Sequence, residues 1–103
     1  MSKRLLPSLD AFRDSLDGSA PPAGLTRPLQ GLWWDARGSW DQAHACVQDD
    51  DTAQGAWVHA YLHRKEGDLP NAAYWYRRAG RPVAQGVLGA EWAAIAAALL
   101  QDS

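Results

Sequence analysis

The stretch GDLPNAAYWYRRAGRP, residues 67–82, decides the fold of this chain because it carries helix stop and start signals in close succession. Its first glycine can end one helix in the left-handed conformation, and the Asp68 side chain can cap the backbone N–H groups that open the next. Pro70 falls in the first turn, where a missing N–H costs nothing. Gly80 and Pro82 then stop this helix. The stretch therefore predicts a helix-turn-helix joint followed by a complete helix.

Upstream of this joint, similar signals predict three more helices. Thr26 is suited to cap a helix that ends at Gly38, and Ser39 opens the next helix with a capping-box spacing. Asp51, three residues before Gln54, repeats that spacing and starts the helix AQGAWVHAYLHRKE. Apolar residues recur along the predicted helices at helical spacing, so each has a face to bury.

The two ends of the chain complete the predicted architecture. Ser8 can cap a short helix with an apolar stripe, and residues 17–28, DGSAPPAGLTRP, form a linker or strap because prolines remove backbone donors. A last helix is predicted over residues 83–100. Since no segment alternates apolar and polar residues with a period of two, the predicted class is all-α. The predicted division is an N-terminal short helix and linker at residues 1–27 and a helical domain at residues 28–103.

Length and composition narrow the class of protein further. With 103 residues the chain has the size of one domain, and 47% hydrophobic with 21% charged residues is typical of a globular protein. A formal net charge of -2 and a pI near 5.8 disfavour a nucleic-acid-binding domain. The one cysteine, Cys46, excludes an intramolecular disulfide.

Targeting segments are also not expected. The basic pair at residues 3–4 is followed by only two leucines before Pro7 and Asp10, which leaves no apolar core for a signal peptide. The longest apolar stretch, residues 92–100, is too short to cross a bilayer. We therefore expect a cytoplasmic protein that does not act at a membrane.

An internal repeat links the predicted helices. Residues 38–43, GSWDQA, align with residues 67–72, GDLPNA, at an offset of 29 residues, and both carry a glycine stop, a polar cap and a small alanine. An offset in this range is typical of stacked helical hairpins. The sequence therefore predicts two helix-turn-helix hairpins, with the last helix as a cap.

The repeat resembles the tetratricopeptide family and the Sel1-like hairpins over residues 28–82. The second copy matches the family's turn, apolar, aromatic and small positions with Gly67, Asp68, Leu69, Ala72, Tyr76 and Ala79. The first copy matches with Gly31, Trp34, Gly38, Trp40 and Ala43 and departs at Val47 and Asp50. The 29-residue offset is shorter than the 34 residues of a regular array. The whole chain also resembles a small group of bacterial proteins of unassigned activity that carry WWDARG, GAWVHAYLHRKEGDL and YWYRRAGRP.

The resemblance implies a groove, since the first helix of each hairpin lines the concave side of such arrays. That groove would contain Leu32, Asp35, Trp57, Tyr61, Arg64 and Lys65. Aromatic side chains at the base of the groove and basic side chains at its edge suit a peptide or an acidic tail. The aromatic side chains supply contact area away from water, and arginine binds carboxylates in a bidentate way. The favoured function is a non-catalytic module that binds a protein or peptide partner, or self-associates as a homodimer, without a cofactor. In the alternative interpretation, Trp57 and Tyr61 are core residues and the charges are solvated.

His59, His63 and Glu66 form the most chemically specific pattern. Their spacing of i, i+4 and i+7 places all three side chains on one face of a helix. Two imidazoles and a carboxylate can bind Zn²⁺ or Fe²⁺ and leave positions for water, although the order is not the HExxH of zinc proteases. The alternative function is therefore a metal-binding protein or metal-dependent enzyme. The competing structural interpretation is a polar helix face with hydrogen-bonded imidazoles.

Other functional classes have less support. Cys46 and His44 are two residues apart and point to different sides of a helix. The motifs of phosphate, dinucleotide and serine-hydrolase sites are missing, so we predict no catalysis. Five of the ten Lys and Arg residues lie between Arg64 and Arg81, interleaved with aromatic residues. Their positions at helix C-termini account for most of them, so a nucleic-acid partner is not expected.

Overall fold

The computed structural model describes residues 8–101. Residues 1–7, which include much of the segment assessed above as a signal peptide, and residues 102–103 lie outside this range. The α-helices are α1 Leu9–Asp14, α2 Arg27–Ala36, α3 Trp40–Val47, α4 Ala53–Glu66, α5 Leu69–Ala79 and α6 Leu88–Gln101. A 3₁₀ turn, Ser15–Asp17, continues α1. Since the described residues contain six helices and no strand, the predicted all-α class is confirmed.

Two helical hairpins form the body of the protein, as the repeat predicts. α2 packs against α3, and α4 packs against α5. α4 also contacts α2, α3 and α6, while α6 contacts α1 and α2 as well. α4 is therefore the central helix, and most of its residues between positions 55 and 63 are buried. A helix buried around most of its circumference is expected where neighbours surround it.

Most helix ends have the caps that the sequence predicts. Ser39 Oγ accepts a hydrogen bond from the Gln42 N–H at 3.3 Å, and Asp68 Oδ1 accepts one from the Asn71 N–H at 3.3 Å. Gly67 ends α4 with a φ of 92°, a left-handed conformation that glycine adopts at little cost. The turn within each hairpin is thus determined by residues that are close together in the chain.

Two helix starts differ from the prediction. Thr26 precedes α2 without making a side-chain cap hydrogen bond, and the cap of α4 is Thr52 and not Asp51. Thr52 Oγ1 accepts a hydrogen bond from the Gly55 N–H at 3.0 Å. Asp50 Oδ1 in turn accepts from the backbone N–H and the hydroxyl of Thr52, at 2.9 and 2.6 Å. The threonine hydroxyl makes the cap, and the aspartate two residues before it holds that hydroxyl in place.

α6 begins at Leu88, later than the sequence predicts. Residues 81–87 form no regular helix. Pro82 disfavours the helical conformation in the residue before it, and Gly86 has a φ of 91° that does not fit a right-handed helix. Arg64 of α4 donates a hydrogen bond to the Gly86 carbonyl. The segment is therefore held as an extended connection between α5 and α6.

The main core lies between α1, α2, α4 and α6. Trp92 of α6 donates from Nε1 to the Leu32 carbonyl at 2.9 Å, and its ring stacks on Phe12 with 5.7 Å between centroids. The largest side chains with almost no exposure are Trp33, Tyr76, Phe12, Leu29, Leu32, Leu62, Ile95, Val47 and Val58. Burial of each large apolar side chain contributes about 1.5–3 kcal/mol, so α6 is an integral part of the core.

A buried ion pair joins α6 to both helices of the second hairpin. Arg64 Nη1 lies 2.8 Å from Glu91 Oε1, and the Tyr76 hydroxyl donates to the other carboxylate oxygen. Burial and this hydrogen bond raise the pKa of Tyr76, so its hydroxyl stays protonated as a donor. Glu91 is only 9% exposed. Because a buried carboxylate without partners is strongly destabilising, the contact determines where α6 lies.

We expect Gly55→Ala and Gly89→Ala to change stability in opposite directions. A Cβ on Gly55 would overlap the Asp50 carboxyl, which would have to release Thr52. The expected loss in the free energy of unfolding is about 1–2 kcal/mol. A Cβ on Gly89 meets nothing within 4 Å, so helix propensity should raise stability by up to about 1 kcal/mol. Urea denaturation measures both, and shifts of the same sign would contradict the role of Asp50.

Candidate metal centre

The three histidines of the chain converge between α3 and α4. His44 comes from α3, while His59 and His63 lie one turn apart on α4. The Nε2 atoms of His44 and His59 are 3.0 Å apart. One ring nitrogen from each of the three residues lies within 4.8 Å of the other two. We call His44, His59 and His63 the three-histidine cluster and treat it as a candidate set of metal ligands.

Trp40 positions α3 against α4. Its indole Nε1 donates to the Leu62 carbonyl of α4 at 2.9 Å. Its ring stacks on His44, with 4.8 Å between centroids and 8° between planes. Trp40 and His44 are one turn apart on α3, so the same face of the helix presents both. The tryptophan therefore holds the His44 imidazole towards α4.

His59 is buried and has one ring nitrogen without a partner. It is 4% exposed, and its ring stacks on Trp75 of α5 with 4.0 Å between centroids. Its Nδ1 has no hydrogen-bond partner among the described residues. Burial, followed by the neighbouring His44 and His63, lowers the pKa of His59 to about 4. The ring is therefore neutral at pH 7, which is the form that binds metal.

His63 is oriented by a carboxylate. Its Nδ1 donates to Glu66 Oε2 at 2.7 Å, and the ring is 7% exposed. Its Nε2 lies 3.4 Å from Nδ2 of Asn71 on α5. Because Nδ1 carries the proton, the lone pair of His63 is on Nε2, the nitrogen available to an ion. Burial, with a smaller effect of His63, also lowers the pKa of His44.

The sequence identified two members of the three-histidine cluster and missed the third. His59 and His63 are in the cluster, but Glu66 bonds the other nitrogen of His63 and does not join the three nitrogens. His44 takes the third position. The signal for it was its spacing of four residues from Trp40, which places both on one face of α3. This face of α3 contacts His59 because of the way α3 packs against α4. The spacing of residues along one helix does not show how two helices pack.

Four of the six residues predicted for a groove lie in the core or line one open pocket. Leu32 has no exposure and Tyr61 is 3% exposed. The Tyr61 hydroxyl donates to Asp35 Oδ2 at 2.8 Å, and Lys65 Nζ lies 2.9 Å from Asp35 Oδ1. Asp35, Tyr61 and Lys65 line a pocket of about 460 Å³ that also includes Trp92 of α6. α6 thus covers part of the face that the resemblance assigned to a partner.

The other two groove residues are engaged within the protein. Arg64 forms the ion pair with Glu91 described above. Trp57 is half-buried at the edge of the core, and the guanidinium of Arg81 lies 3.7 Å from its ring centroid. Tyr61 is therefore a core residue, which is the alternative interpretation that the sequence left open. Trp57 is only partly buried, so neither the groove nor the core interpretation describes it fully.

Comparison with protein-family models, with curated proteins and with solved structures finds no match. The resemblance to tetratricopeptide hairpins therefore rests on the residues quoted above. Within residues 8–101, no helix has the length and apolar character needed to cross a bilayer. The chemistry of the three-histidine cluster is thus the basis for a functional conclusion.

The free energy of unfolding of the metal-free protein should fall as the pH is lowered from about 6.5 to 4. The pKa of His59 is about 4 in the folded protein and about 6.5 in the unfolded chain, so the unfolded chain binds more protons in this window. The expected loss from this residue is on the order of 2–3 kcal/mol.

Urea denaturation with a chelator present measures this loss across the pH window. The His59→Phe variant keeps an aromatic ring against Trp75 but cannot titrate, so its stability should depend less on pH. The same pH dependence in both proteins would contradict a buried, neutral His59.

Proposed function

We propose that the protein binds a divalent transition-metal ion through His44, His59 and His63. The observation that supports this is that one nitrogen from each imidazole lies within 4.8 Å of the others, although the residues come from two helices. The proposal keeps the metal-binding function that the sequence offered as its alternative. It changes the ligand set, because His44 replaces Glu66.

One of the separations between the nitrogens is close to that expected around a bound ion. With metal–nitrogen bonds of about 2.0–2.1 Å, two ligands of a tetrahedral ion are about 3.3 Å apart. The nitrogens of His44 and His59 are at 3.0 Å. The other separations reach at most 4.8 Å, so binding one ion would require these nitrogens to move closer together. The fold thus brings the candidate ligands together, and binding would complete their geometry.

The surroundings of the cluster are those of metal ligands. A carboxylate bonded to the other ring nitrogen of a ligating histidine fixes its tautomer and the orientation of its ring, and Glu66 makes this contact with His63. The indoles of Trp40 and Trp75 lie on His44 and His59 and limit the rotation of these rings. The rings are thus held by contacts beyond the ligands themselves, which a precise site requires.

The donor set selects the class of ion. Imidazole nitrogen suits Zn²⁺, Co²⁺, Ni²⁺ and Cu²⁺, whereas Mg²⁺ and Ca²⁺ prefer oxygen. An ion held by residues of α3 and α4 would also tie these helices together. Because the unfolded chain lacks the assembled site, binding would stabilise the folded state. That the protein has no catalytic role stays a prediction.

We expect one Zn²⁺ to bind each molecule and to raise the melting temperature, since the ion binds the folded state. His44→Gln and His59→Gln each remove a ligand and should weaken binding more than Glu66→Gln, which leaves the ligands in place. For Glu66→Gln the expected loss in affinity is about 10–100-fold. Isothermal titration calorimetry measures the affinity and circular dichroism verifies the fold.

Cys46→Ser is the matched control, because Cys46 carries the one thiol of the chain and thiolates also bind these ions. Burial raises the pKa of the Cys46 thiol, which keeps it in the protonated form that binds metal poorly. This variant should bind Zn²⁺ like the wild type. The proposal is wrong if the wild type binds none of Zn²⁺, Co²⁺ and Ni²⁺, or if the two histidine variants bind Zn²⁺ as tightly as it does.

A second proposed function is the docking of an acidic peptide segment at the open pocket lined by Asp35, Tyr61 and Lys65. These are three of the six residues that the resemblance to tetratricopeptide hairpins assigned to a groove. Arg13 lies at the same pocket, with its guanidinium 5.8 Å from the Trp92 ring and no ion-pair partner among the described residues. An arginine packed on an aromatic ring keeps its N–H groups available to a carboxylate.

Homodimer formation and a cytoplasmic location stay predictions.

Arg13→Glu should weaken the binding of an acidic peptide several-fold, because it reverses the charge at the rim of the pocket. The probe is fluorescein-labelled octaglutamate, followed by fluorescence polarisation at low ionic strength. Arg77→Glu makes the same change in net charge at an exposed site of α5 outside the pocket. Equal weakening by both variants would count against docking. Arg64→Glu is unsuitable, since it would place a second carboxylate against Glu91.

A further inference from the structure

We infer that an ion in the three-histidine cluster keeps one coordination position for a small exogenous ligand, which accepts a hydrogen bond from the side chain of Asn71. This inference rests on the proposed metal-binding function and names the ligand class of that site. The ligand is water or a small anion that offers an oxygen or nitrogen lone pair, such as hydroxide, a carboxylate or azide.

Among the histidine, cysteine, aspartate and glutamate side chains of residues 8–101, the cluster has three ligands and no fourth. Among residues 8–101, no other histidine, cysteine, aspartate or glutamate places a donor atom within 4.8 Å of all three nitrogens. Glu66 and Asp68 group with His63 alone, and Glu66 already accepts the proton of His63 Nδ1. Structural zinc sites have four protein ligands, whereas sites with three keep a position for water or substrate. An ion in this cluster would therefore keep one coordination position open.

Asn71 is placed to contact a ligand in that position. Its Nδ2 lies 3.4 Å from Nε2 of His63, the nitrogen that is available to the ion. Once the lone pair of this nitrogen binds an ion, the amide N–H loses its partner there and is free for a ligand of the ion. Asp68 Oδ2 lies 3.4 Å from the same amide nitrogen and holds the side chain in place. Because an amide N–H is a donor, the matching ligand is an acceptor.

The aromatic side chains direct a ligand to the amide side of the cluster. Trp40 lies parallel to His44, with 8° between the planes, and Trp75 lies nearly parallel to His59, with 17°. These indoles cover a face of each imidazole. His63 instead meets Trp40 edge-on, with 5.9 Å between centroids and 64° between planes. Neither indole stacks on a face of His63, whose stacked neighbour is His59 at 4.8 Å between centroids, so a small ligand would approach beside His63 and Asn71.

Substitution with Co²⁺ tests the inference, because the visible spectrum of Co²⁺ depends on the number and type of its ligands. The full chain is loaded with Co²⁺ and titrated with azide. We expect a saturable change in the visible bands with one azide per ion. Asn71→Leu, titrated at saturating Co²⁺, should bind azide about tenfold more weakly, because one hydrogen bond to an anion is lost.

Gln42→Leu is the matched control, since it removes an exposed side-chain amide from α3. It should bind azide like the wild type. Asn71→Asp is a second variant at the site, in which a negative charge beside the open position should weaken azide binding even more than Asn71→Leu. Circular dichroism verifies that each variant is folded.

The outcomes separate this inference from the function on which it rests. If Co²⁺ does not bind at all, the proposed metal-binding function is wrong. If Co²⁺ binds and its spectrum does not respond to azide, metal binding stands and the open position is wrong. If the wild type and both Asn71 variants bind azide with equal affinity, the position is open but the role of Asn71 is overturned.

Discussion

The buried contact of Glu91 with Arg64 and Tyr76 is the interaction on which the arrangement of the helices depends. It joins α6 to α4 and α5, the two helices of the second hairpin. A carboxylate with so little access to water must obtain its hydrogen bonds from the protein, so both partners have to be in place. This positions α6 so that Trp92 reaches the backbone of α2. The apolar faces of both hairpins are thereby covered within one chain.

α4 separates two regions of different chemistry. Tyr61 and Lys65 lie on one side of this helix and bond to Asp35 of α2, whereas His59 and His63 lie on the other side and face α3 and α5. Positions two apart on a helix point to different sides, so the alternation follows from the sequence of α4. The side with the tyrosine is mainly internal packing. The side with the histidines carries the chemistry from which we infer metal binding.

Local signals predicted most of the secondary structure. The caps at Ser39 and Asp68 were correct because a cap depends on residues within one turn of the helix. Prediction failed where contacts beyond that turn decide the outcome. Thr52 became the cap of α4 with support from the Asp50 carboxylate, and the Gly86 carbonyl accepts from an arginine of another helix, which holds the segment before α6 out of helical form.

The sequence by itself determined the helices, their order in two hairpins and the presence of two histidines on one helix face, because spacing along a helix decides which side chains share a face. Only the tertiary structure decided that His44 joins them, that Glu66 bonds to Nδ1 of His63 and that α6 covers part of the predicted groove. Such contacts depend on the rotation and distance of one helix against another. In this protein the rotation and the distance between helices are set by the packing of side chains such as Trp40 and Trp75, which connect residues far apart in the chain.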